Sequence, residues 1–225
     1  MIEENVKNLL NEIPQTNPFG ETVTLVAAVK MQTPEDINRA ICAGITDIGD
    51  NHVQEFKDKF EEISGNPVRH FIGHLQTNKV KYLIGKVDLY HSLDRMELAA
   101  ELSKRSERAG IVSNVLVQIN IGNEQSKSGF DVSQTQQVCQ TINAMAGLKV
   151  VGLMAMLPES DDEKLLKNLA TRMREEFDKL KATLPDIKHL SMGMSGDWKI
   201  CVACGSNMIR LGTAIFGKRI YPTKT

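Results

Sequence analysis

Apolar residues recur along this chain in two alternating rhythms. One is the short run, rich in Val, Ile and Leu and bounded by polar or glycine-bearing turns, that reads as a buried strand. Such runs cover residues 24–30, 45–48, 68–74, 87–92, 114–120, 148–156, 189–195 and 207–212. The other is an apolar position every third or fourth residue, the stripe of an amphipathic helix. It covers 34–44, 52–63, 78–84, 95–109, 133–146, 161–183 and 197–203, with a last helix beginning at 213. Residues 6–13 carry the same stripe ahead of the first strand. Pro34, Glu35 and Asp36 suit a first helical turn, and Gly44, Gly110 and Gly147 stand where helices must stop.

Strands that are apolar almost throughout are what a parallel sheet covered by helices requires. Eight strand–helix pairs in one uninterrupted chain predict an α/β protein, a single (β/α)8 TIM barrel with an extra N-terminal helix. An open, doubly wound sheet is the alternative. No linker or low-complexity stretch interrupts residues 1–225, so one domain is expected. The loop 121–130 is polar and longer than its neighbours.

Charge and cysteine usage narrow the classes of function. With Lys+Arg 27 against Asp+Glu 28 the net charge is -1, which gives no general attraction to nucleic acid or an anionic membrane. The lysines Lys79, Lys81 and Lys86 read as a solvated helix face without stacking aromatics, so no nucleic-acid partner is expected. No apolar run approaches the roughly 20 residues that span a bilayer, and the acidic N-terminus does not resemble a signal peptide. Cys42, Cys139, Cys201 and Cys204 are irregularly spaced, as reduced cytoplasmic thiols would be. Cys201 and Cys204 are expected in the core, Met192 and Met194 to serve packing, and Trp198 to be a core or lid aromatic. His70 and His74 flank a strand-like segment, so their spacing does not make a metal pair. The chain is expected to act as a cytoplasmic monomer.

The candidate chemistry lies at strand ends. The first run ends on Lys30, at the barrel edge where active sites are built. A lysine there, with an apolar stem and a partly dried amine, can attack an aldehyde. It could equally be a lysine that snorkels from a core strand. Two later turns, 191–197 and 210–217, follow the seventh and eighth runs, where barrels often hold a phosphate on backbone N–H groups and hydroxyls. Ser195, Gly212 and Thr213 are the candidate ligands, although Ser and Thr also serve as helix caps. An amine facing a phosphate site suits a phosphorylated aldehyde held as a Schiff base, in a sugar-phosphate aldolase or in a pyridoxal phosphate protein.

Residues 26–30, 48–55, 70–79, 152–154, 191–197 and 210–217 resemble the pyridoxal phosphate homeostasis proteins, and the likeness runs from Leu25 to Arg219. The resemblance implies a barrel of the alanine racemase N-terminal type and pyridoxal 5'-phosphate as cofactor. It implies Lys30 as the Schiff-base lysine, Ser195, Gly212 and Thr213 as phosphate ligands, and Arg210 as the partner of the pyridine nitrogen. Asn51 and His74 would lie near the ring. The chain departs from the family at Val29, where a Ser is usual, at Asp50 and His52, which replace Glu and Tyr, and at Arg69, which replaces Trp.

The resemblance also implies a role: binding and delivering the cofactor in intracellular homeostasis, with apo pyridoxal phosphate enzymes as recipients and no evident turnover. Alanine racemases of this type add a β-rich domain carrying a catalytic tyrosine. The chain is expected to lack that domain, and Tyr82, Tyr90 and Tyr221 match no such position. An arginine can only donate, so it leaves the ring nitrogen unprotonated and the ring a weak electron sink. A weak amino acid racemase is the alternative reading, and an aldolase a more distant one.

Overall fold

Residues 1–122 and 128–217 are described by the structure, a computed structural model. Residues 123–127 of the polar loop, Tyr221, and the stretch of resemblance beyond 217 lie outside the described residues. Every apolar run becomes a parallel strand: β1 Thr24–Ala28, β2 Asp47–Asp50, β3 Val68–Phe71, β4 Leu89–Leu93, β5 Ser113–Asn120, β7 Leu148–Ala155, β8 His189–Ser191 and β9 Met208–Leu211. The strands pair in the ring β1-β2-β3-β4-β5-β7-β8-β9 and back to β1, so the sheet is a closed eight-stranded barrel and the open-sheet alternative falls. Closure is made by β4 on β5 (Leu89 beside Asn114, Tyr90 beside Val115) and by β1 on β9 (Val26 beside Arg210). A two-residue strand, β6 Phe130–Asp131, adds to the end of β5; it is too short to leave an apolar rhythm.

The helices α1 Ile2–Glu12, α2 Pro34–Cys42, α3 Val53–Lys59, α4 Met96–Ala109, α5 Thr135–Asn143, α6 Glu163–Thr183, α7 Trp198–Ala203 and α8 Thr213–Phe216 surround the barrel. Local chemistry sets their ends. The Thr33 hydroxyl accepts from the Asp36 N–H with Pro34 in the first turn, Asp162 accepts from Lys164 and Leu165, and Gly110 stops α4 at φ 66°. The N-terminal helix α1 buries Ile2, Val6 and Leu9, and Asn5 donates to the Ile215 carbonyl, fixing α1 against α8. Two expected helices are shorter or tighter. Residues 52–63 divide into α3 and a 3-10 turn, Phe60–Glu62, and 78–84 form a 3-10 segment, Thr77–Tyr82.

Two apolar clusters fill the space between strands and helices. Inside the barrel is a smaller one, Val26, Leu89, Leu116, Val151, Met154 and Met208. Strands alternate their side chains, so Asp47, His70, His91, Ser191 and Arg210 share this interior with the apolar cluster. Trp198 and Cys201 join the core, but Cys204, the cap residue that follows α7, is only partly buried. Met192 is buried while Met194 is exposed, so only the first of that pair packs.

Candidate functional site

In a parallel barrel all strands end at one mouth. Lys30, Asn51, His74, Ser195, Gly212 and Thr213 follow the ends of β1, β2, β3, β8, β9 and β9, so the structure places all six on that mouth. Arg210 lies within β9 below them.

Lys30 is not the last strand residue. β1 stops at Ala28; the Val29 N–H still bonds the Gly49 carbonyl (3.0 Å), and Met31 then turns away in the left-handed region at φ 61°. Lys30 keeps the parity of Thr24, Val26 and Ala28, and is partly buried. Both peptides that flank it are held by α3. Glu55 accepts from the Met31 N–H (2.7 Å), and Lys59 donates to the Val29 carbonyl (3.3 Å) and to Glu55 (3.0 Å). Burial would raise the Glu55 carboxyl, but the Met31 N–H and Lys59 outweigh it and hold it below its ordinary value. Glu55 lies in the resembling stretch 48–55, but nothing in the sequence ties it or Lys59 to Lys30; the two share one face of α3 at i,i+4 spacing.

Arg210 is the most enclosed charge of the site. One Nη donates to the Ser191 carbonyl (3.0 Å) and hydroxyl (2.5 Å), the other to the Ala155 carbonyl (3.0 Å). Its Nε–H and one Nη–H have no partner among the described residues. Burial lowers its pKa to about 10, so it remains cationic at neutral pH.

The two late turns form the rim. Asp197 closes the first by accepting from the Met194 N–H (2.6 Å), which leaves Ser195 exposed at its tip. In the second, the Gly212 carbonyl accepts from Ile215 and Phe216, and α8 is a single turn. The backbone N–H groups of Ser195, Gly196, Thr213 and Ala214 have no hydrogen bond among the described residues. A Cβ at Gly212 would stand 3.1 Å from the Ala28 carbonyl oxygen, so this turn lies against the end of β1 just before Lys30. Four N–H groups without a partner among the described residues, with the Ser195 and Thr213 hydroxyls, make a rim of donors above a buried cation.

Asn51 and His74 occupy the β2–β3 side. They line a cleft of about 380 Å3 with His52, Gln54, Lys57 and Tyr82, and neither Lys30 nor Arg210 lines it. His74 is exposed and pairs through Nδ1 with Asp94 (3.1 Å). His70 lies inside the barrel, bonded to Asp47 and His91, and so faces elsewhere. The β2 and β3 exits touch: a Cβ on Gly73 would fall 2.0 Å from the Asn51 carbonyl oxygen. Lys57, Lys79 and Lys81 gather over the Tyr82 ring at 4.5, 5.9 and 5.0 Å, and Lys86 over Phe60 at 5.0 Å, so the lysines expected to form a plain solvated face are in part organised by aromatic rings.

The chain belongs to the alanine racemase N-terminal domain family, whose model matches residues 2–220. Within it the chain falls among the pyridoxal phosphate homeostasis proteins. It is 39% identical over 202 residues to the one from Aquifex aeolicus (strain VF5), covering 88% of this chain and 87% of that protein. To the one from Escherichia coli (strain K12) it is 38% identical over 209 residues, 91% and 89% of the two chains. Among solved structures, PipY of Synechococcus elongatus PCC7942 with PLP bound superposes with a TM-score of 0.84 at 28% identity, over 96% of this chain and 100% of that one. An alanine racemase of Clostridium difficile 630 shares the fold at 14% identity, with a TM-score of 0.78 over 99% of this chain and 57% of that one. No helix among the described residues is long and apolar enough to cross a membrane.

Proposed function

We propose that this chain binds pyridoxal 5'-phosphate at the barrel mouth, as a Schiff base with Lys30, and that it holds and delivers the cofactor rather than turning over substrate. The observation that carries the reading is Arg210: a buried cation fixed by Ser191 and Ala155, with donors that no described residue uses, under a rim of N–H groups and hydroxyls likewise without a partner among the described residues. These residues fit the group. The rim of Ser195, Gly212 and Thr213 suits a phosphate dianion, Lys30 an aldehyde, and Arg210 a ring nitrogen that accepts. Glu55 and Lys59 fix the backbone on both sides of Lys30, which limits where its amine can reach. When bound, the cofactor supplies a reactive carbonyl and an electron-withdrawing ring. Arg210 cannot give up its proton at neutral pH, so it holds the ring nitrogen as an acceptor and keeps the electron sink weak. That favours retention over carbanion chemistry. Asn51 and His74 take places beside the ring, and the recipients are apo forms of pyridoxal phosphate enzymes.

The test is spectroscopic. Purified protein with pyridoxal phosphate should gain a visible absorption band that borohydride discharges, leaving the label on Lys30 in a peptide map. Lys30→Ala should fold and lack the band. The loaded protein should restore an apo-enzyme and should not exchange an amino acid α-proton with deuterium. Efficient exchange would establish the racemase reading instead, and a label on another lysine would remove Lys30 from its role.

A further inference from the structure

Behind Arg210 runs a row of buried side chains that the cofactor contacts above do not use. The Ser191 hydroxyl that accepts from Arg210 lies 3.1 Å from His91 Nδ1. His91 Nε2 lies 2.8 Å from His70 Nδ1, and His70 Nε2 lies 2.9 Å from Asp47 Oδ1. Ser191 and His91 are fully buried and His70 is 2% exposed. The five residues come from five strands, β9, β8, β4, β3 and β2, and the row crosses the barrel interior from the cofactor side toward the opposite mouth. There Asp47 and His189 line a recess of about 370 Å3 with Lys188, Asp186, Lys149 and Asp88.

The two ends assign the hydrogens. A guanidinium can only donate and a carboxylate can only accept. With both imidazoles neutral, one arrangement satisfies every link. Ser191 O–H donates to His91 Nδ1, His91 Nε2–H to His70 Nδ1, and His70 Nε2–H to Asp47. Reversing any single link places two hydrogens, or none, between one pair of atoms. Two electrostatic facts agree. Burial drives His91 well below its ordinary pKa, keeping it neutral. Burial would raise Asp47, but hydrogen bonds from His70 and Thr46 outweigh it and keep it ionised.

Arg210 has no carboxylate in contact among the described residues; its partners are two carbonyls and one hydroxyl. The negative charge joined to it through hydrogen bonds is Asp47, at the far end of the row. We infer that His91, backed by His70 and Asp47, positions Arg210 for the pyridine nitrogen. It commits the Ser191 hydrogen, turns the Ser191 lone pairs to the guanidinium, and aligns a series of dipoles between the buried cation and Asp47. Bonds aligned in series polarise one another, so a change at Asp47 is felt at Arg210 across the barrel. The inference rests on the reading that Arg210 meets the ring nitrogen of pyridoxal phosphate.

The test uses two ligands, pyridoxal phosphate and 1-deazapyridoxal phosphate, in which C–H replaces the ring nitrogen. Affinities are measured by absorbance for wild type, Arg210→Gln, His91→Phe, His91→Asn and Asp47→Asn. Wild type should prefer pyridoxal phosphate. His91→Phe should weaken pyridoxal phosphate about 10-fold, the worth of one misdirected charge-assisted hydrogen bond, and leave the deaza analogue unchanged. Asp47→Asn keeps an acceptor but removes the charge, and should lower the preference in the same direction from the far mouth. It carries the test if His91→Phe fails to fold. In His91→Asn the amide oxygen stands near the Nδ1 position and accepts from Ser191, so part of the preference should return. Equal loss of both ligands in the His91 and Asp47 variants, or no change in either, makes the row mere packing and overturns the inference. If Arg210→Gln keeps the wild-type preference, Arg210 does not meet the nitrogen, and the reading of the site fails together with the inference.

Discussion

Asp50→Asn should stabilise the protein at neutral pH and do so less and less as the pH falls. Asp50 ends β2 with its residue 4% exposed, and its carboxylate has no hydrogen bond or ion pair among the described residues. Burial is the main influence and raises its pKa from 3.8 to about 6, with Lys59 and Arg69 opposing weakly and Glu55 adding to the rise. The unfolded chain releases this proton near 3.8, whereas the folded chain keeps it until about 6. Between those values the folded state binds the extra proton, so stability falls as the pH rises through the window, and the full cost is present above it. A shift of two units corresponds to about 3 kcal/mol, an upper value because the folded state relaxes around a buried charge. Asparagine has nearly the same shape and no charge to bury. Urea unfolding of both proteins without cofactor, at intervals from about pH 4 to 8, should give a difference near zero at the acid end. That difference should grow to a plateau of about 1–3 kcal/mol above pH 7. Parallel curves would show that Asp50 ionises normally, and a less stable Asn variant at pH 8 would show that the carboxylate has a partner.

Ser195→Ala and Thr213→Ala should each weaken pyridoxal phosphate roughly 10- to 100-fold, the worth of a charge-assisted hydrogen bond, and leave pyridoxal nearly unaffected. Equal losses for both ligands in a titration would make the two turns structural caps. Gly152→Ala would set a Cβ 1.9 Å from the His189 carbonyl oxygen, between β7 and β8, so a destabilisation of about 3 kcal/mol or more is expected. A variant that melts with wild type would contradict that contact. Arg174 pairs with Glu21 (2.6 Å) and Asp178 (2.7 Å) and donates to the Gly205 carbonyl, tying α6 to the segment before β1. Arg174→Ala should cost about 1–3 kcal/mol at pH 7, because the partly buried Glu21 loses its buried partner and keeps only Lys181, at 3.0 Å, as a cation. Burial would raise Glu21, but Arg174, Asn17 and Lys181 outweigh it and lower its pKa. Its contribution is therefore complete above the ordinary glutamate value, about 4.3, and is lost as the pH falls through the lower folded one. The variant should show a flatter loss of stability between pH 5 and 3 in denaturant unfolding.

The barrel was legible in the chain because its determinants are local. Runs such as 114–120 and 148–156 are apolar at almost every position, as strands covered on both faces must be, and Thr33, Pro34 and Gly110 mark helix ends by their own chemistry. Position relative to those ends is also local, which is why Lys30, Ser195, Gly212 and Thr213 could be assigned to one mouth before any contact was known. What the tertiary structure decided is which side chains meet. Strand periodicity states which face a residue takes, and says nothing about its neighbour on another strand; register and closure of the ring settle that. Asp47, His70, His91 and Ser191 are bonded neighbours across 23, 21 and 100 positions of chain, a proximity that no strand pattern states, and closure brings them into one row behind Arg210. Glu55 and Lys59 clamp the backbone on either side of Lys30 because α3 packs where β1 ends, a contact that the sequence does not state. The early stop of β1 at Ala28 has the same origin. Past the Ala28–Gly49 pair only the Val29 N–H still bonds β2, and the chain turns away at Met31, where Glu55 and Lys59 of α3 hold its backbone.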